Sequence, residues 1–163
     1  MSEASSPRFC SRCAAPLRLV HDGERERLTC SSAECGFVHY DNPTPVVAAL
    51  VEHAGAVVLV RNRGWPETWF GLVSGFLERG ETPADGALRE VREELGLDGR
   101  VVGLIGAYAF EMRNELIVAY HVEAERSIAL SPEIAAVKRV APEALRPWPF
   151  GTGFAVADWL ARR

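Results

Sequence analysis

Three glutamates, Glu90, Glu93 and Glu94, stand at i, i+3 and i+4, a spacing that places three carboxylates on one face of a helix within a turn. Like charges so placed repel one another unless a cation sits among them. Oxygen-only ligands suit Mg(II) or Mn(II) better than zinc. Arg89 precedes the cluster and can fork onto carboxylates, Glu81 of the preceding loop among them, fixing the rotamers a metal site needs held. Gly75 and Gly80 in that loop allow close backbone approach, so a loop carbonyl can join the metal shell. Bridging metals there would grip a diphosphate, position water and lower its pKa, and a carboxylate not consumed by metal could take the water's proton. A second constellation is Cys10, Cys13, Cys30 and Cys35, as C-x2-C, sixteen residues, then C-x4-C. Two close thiol pairs at this spacing suit a closed, structural Zn(II) site. A disulfide pair, a redox dithiol and unlinked buried thiols are the alternatives.

These residues need elements to position them. Pro83 to Leu95 reads as the best helix: Thr82 is the N-cap, Pro83 occupies N1, Asp85 lies in the first turn and Gly96 closes it. Val46–Glu52 and Ala56–Arg61 read as a hairpin around His53-Ala54-Gly55, and Trp69–Val73 as a further short apolar run. Val101–Phe110 and Glu115–Val122 read as long strands, Val137–Val140 as a short one and Pro142–Leu145 as a helical turn. A terminal helix over Thr152–Leu160 places Ala155, Val156, Trp159 and Leu160 on one face. Around the cysteines, Leu17–Val20 and Arg25–Thr29 can pair about an Asp22-Gly23 turn, with Phe37–Tyr40 as a third strand. Asp41 to Pro45 is a connector, its prolines favouring an extended path. The expected division is a zinc ribbon at 9–41 and a second domain at 45–163, with the Ser-rich residues 1–8 frayed. Strands mixed with two separated helices indicate an α+β fold.

The 163 residues are 48% apolar and 25% charged, ordinary globular composition that excludes collagen, coiled coil and wholesale disorder. Eighteen basic against 22 acidic residues give a net charge of −4, which disfavours a generally basic nucleic-acid binder. No apolar run reaches membrane-spanning length, and the first residues lack the apolar core of a secretory signal. The expectation is a cytoplasmic protein.

A glutamate-rich helix in isolation is usually a solvated face; the joint pattern says more. Gly75, five residues, Glu81, seven residues, Arg89-Glu90-Val91, one residue, Glu93-Glu94, one residue, Gly96-Leu97 resembles the Nudix box at every defined position. With the four-cysteine segment and Tyr40-Asp41-Asn42-Pro43 ahead of it, the chain is similar to zinc-ribbon Nudix proteins, a group that includes NADH pyrophosphatases and FAD pyrophosphatase-like enzymes. The resemblance implies an α/β/α sandwich with a mixed sheet behind a small N-terminal zinc ribbon. It also implies metal-dependent hydrolysis of a nucleoside diphosphate linked to another moiety. By motif position, Glu90, Glu93 and Glu94 look like the Mg(II)/Mn(II) ligands, joined by the carbonyl of Ser74. Glu90 or Glu94 would help activate water, and Arg89 and Glu81 look like the orienting pair. Glu133, in Ser131-Pro132-Glu133, is the candidate base outside the box; an ordinary loop carboxylate is the alternative.

One departure bears on substrate. NADH pyrophosphatases carry an S-Q-P-W-P-F-P-x-S motif soon after the box, where this chain reads GAYAFEMRN over 106–114. A partial likeness, Arg146-Pro147-Trp148-Pro149-Phe150, comes some fifty residues after the box and reads as a connector before the last helix. Specificity therefore leans to FAD, ADP-ribose or related dinucleotides over NAD(H). Substrate-facing candidates are Arg61 and Arg63, which can grip phosphate or ribose or be solvated surface, with Gly75 and Phe76 at the box. Trp65 can stack on a ring; Trp69 reads as core packing, as does Trp159. His21, His39, His53 and His121 are scattered and none is assigned as a ligand. The competing functions are a nucleotide-sensing or nucleic-acid-associated Nudix module and a hydrolase of dinucleotide-capped RNA ends. The intact glutamate set favours an enzyme on a small nucleoside diphosphate derivative. A homodimer is implied by the resemblance alone.

Overall fold

The computed structural model describes residues 6–163, which form two compact units dividing between Asn42 and Pro43. Residues 1–5 of the segment expected to fray lie outside the described residues. Arg8, read as part of that segment, is held: its carbonyl accepts from Leu17 N at 3.0 Å.

In the N-terminal unit, β1 (Leu17–His21), β2 (Glu26–Cys30) and β3 (Val38–His39) form an antiparallel sheet in the order β1-β2-β3. The Asp22 carboxylate builds the first turn, accepting from the backbone of Glu24 and Arg25 at 3.1 and 3.0 Å and from Arg27 at 2.6 Å. Those donors hold its pKa at about 2. Gly23 supplies the positive φ of +103° that the turn needs.

The second unit is a six-stranded mixed sheet between two helices. Its strands are β4 (Thr44–His53), β5 (Ala56–Asn62), β6 (Val73–Phe76), β7 (Gly99–Phe110), β8 (Glu115–Ala124) and β9 (Ile134–Val140). The order is β7-β8-β4-β5-β9, with β6 also on β4. β4 runs parallel to β8 and antiparallel to β5 and β6. Because successive side chains point to opposite faces, β4 serves two cores. Val46, Ala48 and Leu50 face the core shared with α2 (Gly153–Ala161), and Val47, Ala49 and Val51 face the core shared with α1 (Pro83–Leu95). Covered on both faces, β4 reads as a continuous apolar run rather than an alternating one.

α1 begins and ends where its local signals place it. The Thr82 hydroxyl accepts from Asp85 N, Pro83 opens the helix, and Gly96 closes it with φ +66°. α2 buries Ala155, Val156 and Trp159, with Leu160 half-buried against the same core. Of the apolar run Trp69–Val73 only Val73 is in a strand, because the bounds of β6 are set by the ladder to β4, from Ala49↔Val73 to Val46↔Phe76. Trp69 is not in the core: it is 55% exposed, its ring 6.4 Å from that of Phe150. Residues 146–150 are the connector before α2, as expected. Trp148 packs against the α2-side core, and a side chain at Gly153 would strike the Trp148 carbonyl at 1.9 Å. Among the described residues no helix is long and apolar enough to cross a membrane.

Candidate functional site

Strand β6 and helix α1 bring the box residues together. Gly75 pairs with Val47, so its missing side chain points to the α1 face, and the Glu90 carboxylate occupies that space. A Cβ at Gly75 would lie 2.1 Å from Glu90 Oε1. Arg89 is the hub of the carboxylates. It takes Glu81 as a two-pronged fork, Nε to Oε2 at 3.1 Å and Nη2 to Oε1 at 2.9 Å. Its Nη1 donates to Glu90 at 2.6 Å and Glu93 at 2.9 Å, and its Nη2 to the Phe76 carbonyl at 2.9 Å. Glu78 N also donates to Glu81, at 2.7 Å. These bonds, Arg89's foremost, hold the Glu81 carboxyl below the usual range.

Of the three helix glutamates, Glu93 is exposed, Glu90 half-buried and Glu94 buried at 6% exposure. Burial pushes the Glu94 carboxyl up to about 8, with the charges of Glu90, Glu133 and Glu93 adding to the rise and the Ser74 backbone opposing it. Burial likewise raises Glu90 against the pull of Arg89. Glu94 Oε2 is buried with no hydrogen-bond partner, a costly arrangement for a carboxylate and the sort of orphan a hard cation satisfies. The donor types fit Mg(II) or Mn(II): carboxylate oxygens on one helix face, beside the strand that carries Ser74.

The remaining candidates divide. Phe76 is exposed beside the box, on the α2 face of the sheet. Arg61 is half-buried with Nε lacking a partner. Arg63 is engaged by its own chain, donating through Nε to the Pro132 carbonyl and through its backbone N–H to the Glu133 carbonyl at 2.8 Å. Glu133 is exposed on the loop ahead of β9. Its charge reaches Glu94. Two positions were not singled out from sequence. Asn62 carries a buried, unpartnered Oδ1 at the end of β5, and Ser131 N donates to the Glu94 carbonyl at 3.1 Å. No local pattern announces either, since both depend on long-range neighbours.

In the N-terminal unit the four cysteine sulfurs all lie within 4.8 Å of one another, with Cys13 Sγ 3.4 Å from Cys30 Sγ and Cys10 Sγ 3.7 Å from Cys35 Sγ. That is a gathered four-thiol cluster, too wide for any S–S bond and of the size a tetrahedral zinc spans. Against burial, hydrogen bonds from the Arg12 and Cys13 backbone and the neighbouring thiols draw Cys10 down to about 7.

The sandwich and its carboxylate helix define a scaffold that offers carboxylate oxygens to a hard divalent cation. The NUDIX domain model matches residues 42–159 and the Nudix N-terminal zinc-ribbon model residues 8–41; the chain belongs to the NUDIX family, with its structural zinc ribbon. NUDIX hydrolases use Mg(II) or Mn(II). Among relatives, the chain is similar to the NAD-capped RNA hydrolase NudC of Stutzerimonas stutzeri, at 30% identity over 73% of this chain and 42% of that one. It is also similar to the NudC of Pseudomonas entomophila, at 27% identity over 98% of this chain and 58% of that one. The chain thus spans about half the length of these relatives. A solved NUDIX hydrolase from Nitrosomonas europaea shares the fold with a TM-score of 0.73 at 24% identity, covering 85% of this chain and 80% of the other. An ADP-ribose pyrophosphatase from Streptococcus suis shares it with a TM-score of 0.61 at 17% identity, over 74% and 92% of the two chains.

Proposed function

We propose that the chain hydrolyses the pyrophosphate linkage of a nucleoside diphosphate derivative, a dinucleotide or nucleotide-sugar such as FAD, ADP-ribose or NAD(H). The observation that carries this reading is Glu94, buried, with an orphaned oxygen, one helical turn from Glu90. Glu90, Glu93, Glu94 and the Ser74 carbonyl would hold Mg(II) or Mn(II), which when bound neutralises phosphate charge and acidifies water. Arg89, forked onto Glu81, keeps the Glu90 carboxylate over Gly75. Glu133 accepts the proton of the attacking water, with Glu90 or Glu94 assisting. Arg61 offers a guanidinium to the phosphates, Gly75 makes room for the Glu90 carboxylate, and Phe76 gives the nucleoside an exposed ring on which to stack.

The ribbon occupies 9–41 and the hydrolase domain 45–163 in this reading. The partners that go with it are the nucleoside diphosphate derivative and a second copy of the chain, in the cytoplasm; light scattering checks the dimer. A second reading, hydrolysis of dinucleotide-capped RNA ends, is favoured by the names of the NudC relatives and uses the same chemistry. The test is a panel of FAD, NADH, NAD, ADP-ribose, a diadenosine polyphosphate, nucleoside triphosphates and NAD-capped RNA with Mg(II) or Mn(II), run beside Glu94→Gln. Cleavage of one substrate, lost in the variant, is the expected result. No cleavage by folded, zinc-loaded protein would overturn the hydrolase reading and leave a sensor.

A further inference from the structure

Arg61 and Arg63 sit two residues apart at the end of β5, yet their surroundings differ. Between Arg61 and Asn62 the ladder to β9 slips: Arg61 pairs with Ala136 but Asn62 with Ile134, leaving Ala135 without an opposite number. Such a bulge bends a strand and re-aims the side chains beyond it. Past this one, Arg63 meets the loop ahead of β9 at two points, its backbone N–H on the Glu133 carbonyl and its Nε on the Pro132 carbonyl.

The same loop is fastened from the other side to α1. Ser131 N donates to the Glu94 carbonyl at 3.1 Å and Ala129 N to the Leu95 carbonyl at 2.8 Å. Within the turn, Glu133 N lies 3.3 Å from Ser131 Oγ and Ile134 N donates to the Ser131 carbonyl at 3.2 Å. Residues 129–133 are thereby stitched between the C-terminal turn of the glutamate helix and one arginine. Exposed loops without such ties move freely, and a proton acceptor is useful only where its position is fixed.

We infer that Arg63 is a positioning residue: it clamps Ser131-Pro132-Glu133 so that Glu133 is presented at the Glu94 end of α1, and it does not grip substrate phosphate. The inference rests on the hydrolase reading for its kinetic consequence but not for the clamp itself. An arginine committed to a carbonyl of its own chain has fewer N–H groups to give a phosphate, whereas Arg61 keeps a buried, unpartnered Nε.

The experiment compares wild type, Arg63→Ala, Glu133→Gln and the double variant, by steady-state kinetics and by hydrogen exchange at the Ser131 and Ile134 amides. Arg63→Ala should speed exchange at both amides. It should lower kcat about 10-fold, as small misplacements of a catalytic group do, with KM little changed. In the Glu133→Gln background the same change should cost nothing further, because the group it positions is already disabled. Unchanged exchange at both amides overturns the clamp, whatever the activity. A raised KM at constant kcat, losses that multiply in the double variant, or a Glu133→Gln enzyme as fast as wild type overturns the positioning role. A wild type inert on every substrate defeats the hydrolase reading instead, and hydrogen exchange then still decides the clamp.

Discussion

Gly75→Ala separates site geometry from fold stability. The position lies in β6 without a positive φ, so alanine suits the backbone and even trims the freedom of the unfolded chain. The added methyl carbon, however, would sit 2.1 Å from Glu90 Oε1, 2.2 Å from its Cδ and 2.5 Å from its Oε2. Ordinary contact begins near 3.4 Å, so the Glu90 carboxylate must retreat by about 1.3 Å, away from the 2.6 Å bond to Arg89 that now holds it. The obstacle is the far end of a flexible side chain, so folding should survive with the melting temperature little changed. Misplacing a catalytic group by about 1 Å costs about 100-fold in rate, or about 2.7 kcal/mol of transition-state stabilisation. The assay is kcat on whichever substrate the panel identifies, beside Mn(II) binding followed by electron paramagnetic resonance. A folded variant within about threefold of wild-type rate, under 1 kcal/mol, with unchanged Mn(II) affinity would refute the assignment of Glu90 to the site.

Other consequences are open to direct measurement. Glu94, held up at about 8 by burial, binds its proton more tightly folded than unfolded. Its contribution to metal-free stability is therefore complete below about pH 4.3, the unfolded carboxyl's pKa, and lost as pH rises to about 8; denaturant titrations of Glu94→Gln should show that slope flattened. For the same reason Mg(II) addition at neutral pH should release a proton, detectable by calorimetry in buffers of different ionisation enthalpy. Trp159→Ala empties a site 8% exposed in the α2-side core and should cost about 3–5 kcal/mol in urea unfolding. Purified protein should carry one zinc per chain that resists mild chelation, and stripping it with a strong chelator should abolish the ordered ribbon by circular dichroism.

What could be read from sequence was what local chemistry decides. Helix α1 runs from Pro83 to Leu95 because its cap, its proline and its closing glycine are all within a turn of its ends. The four thiols converge because a short hairpin returns the chain to its start. Where a distant partner decides, sequence was silent. Trp69 reads as core by its bulk, but β6 takes its partner further along β4 and leaves the ring half outside. Arg63 reads as a grip for phosphate or ribose or as solvated surface, and only a loop some seventy residues away shows that its Nε is engaged. Glu94 and Glu93 are adjacent and alike in sequence; their separation into a buried acid and an exposed one follows from which side of α1 meets the sheet.

The parallel ladder of β4 with β8 also governs the order of assembly. It pairs Thr44 with Glu115 and His53 with Ala124, so one edge of the central strand waits on chain made much later. Contacts of such long sequence separation form slowly, since the intervening loop must close before they are rewarded. The β7–β8 hairpin and α1 are local and can form early. β6, which among the described residues finds its ladder on β4 alone, cannot be fixed until β4 is. A nascent chain that ends before Glu115 can therefore already hold the glutamate helix and the β4–β6 ladder that carries Ser74, but it leaves the other edge of β4 without its parallel partner.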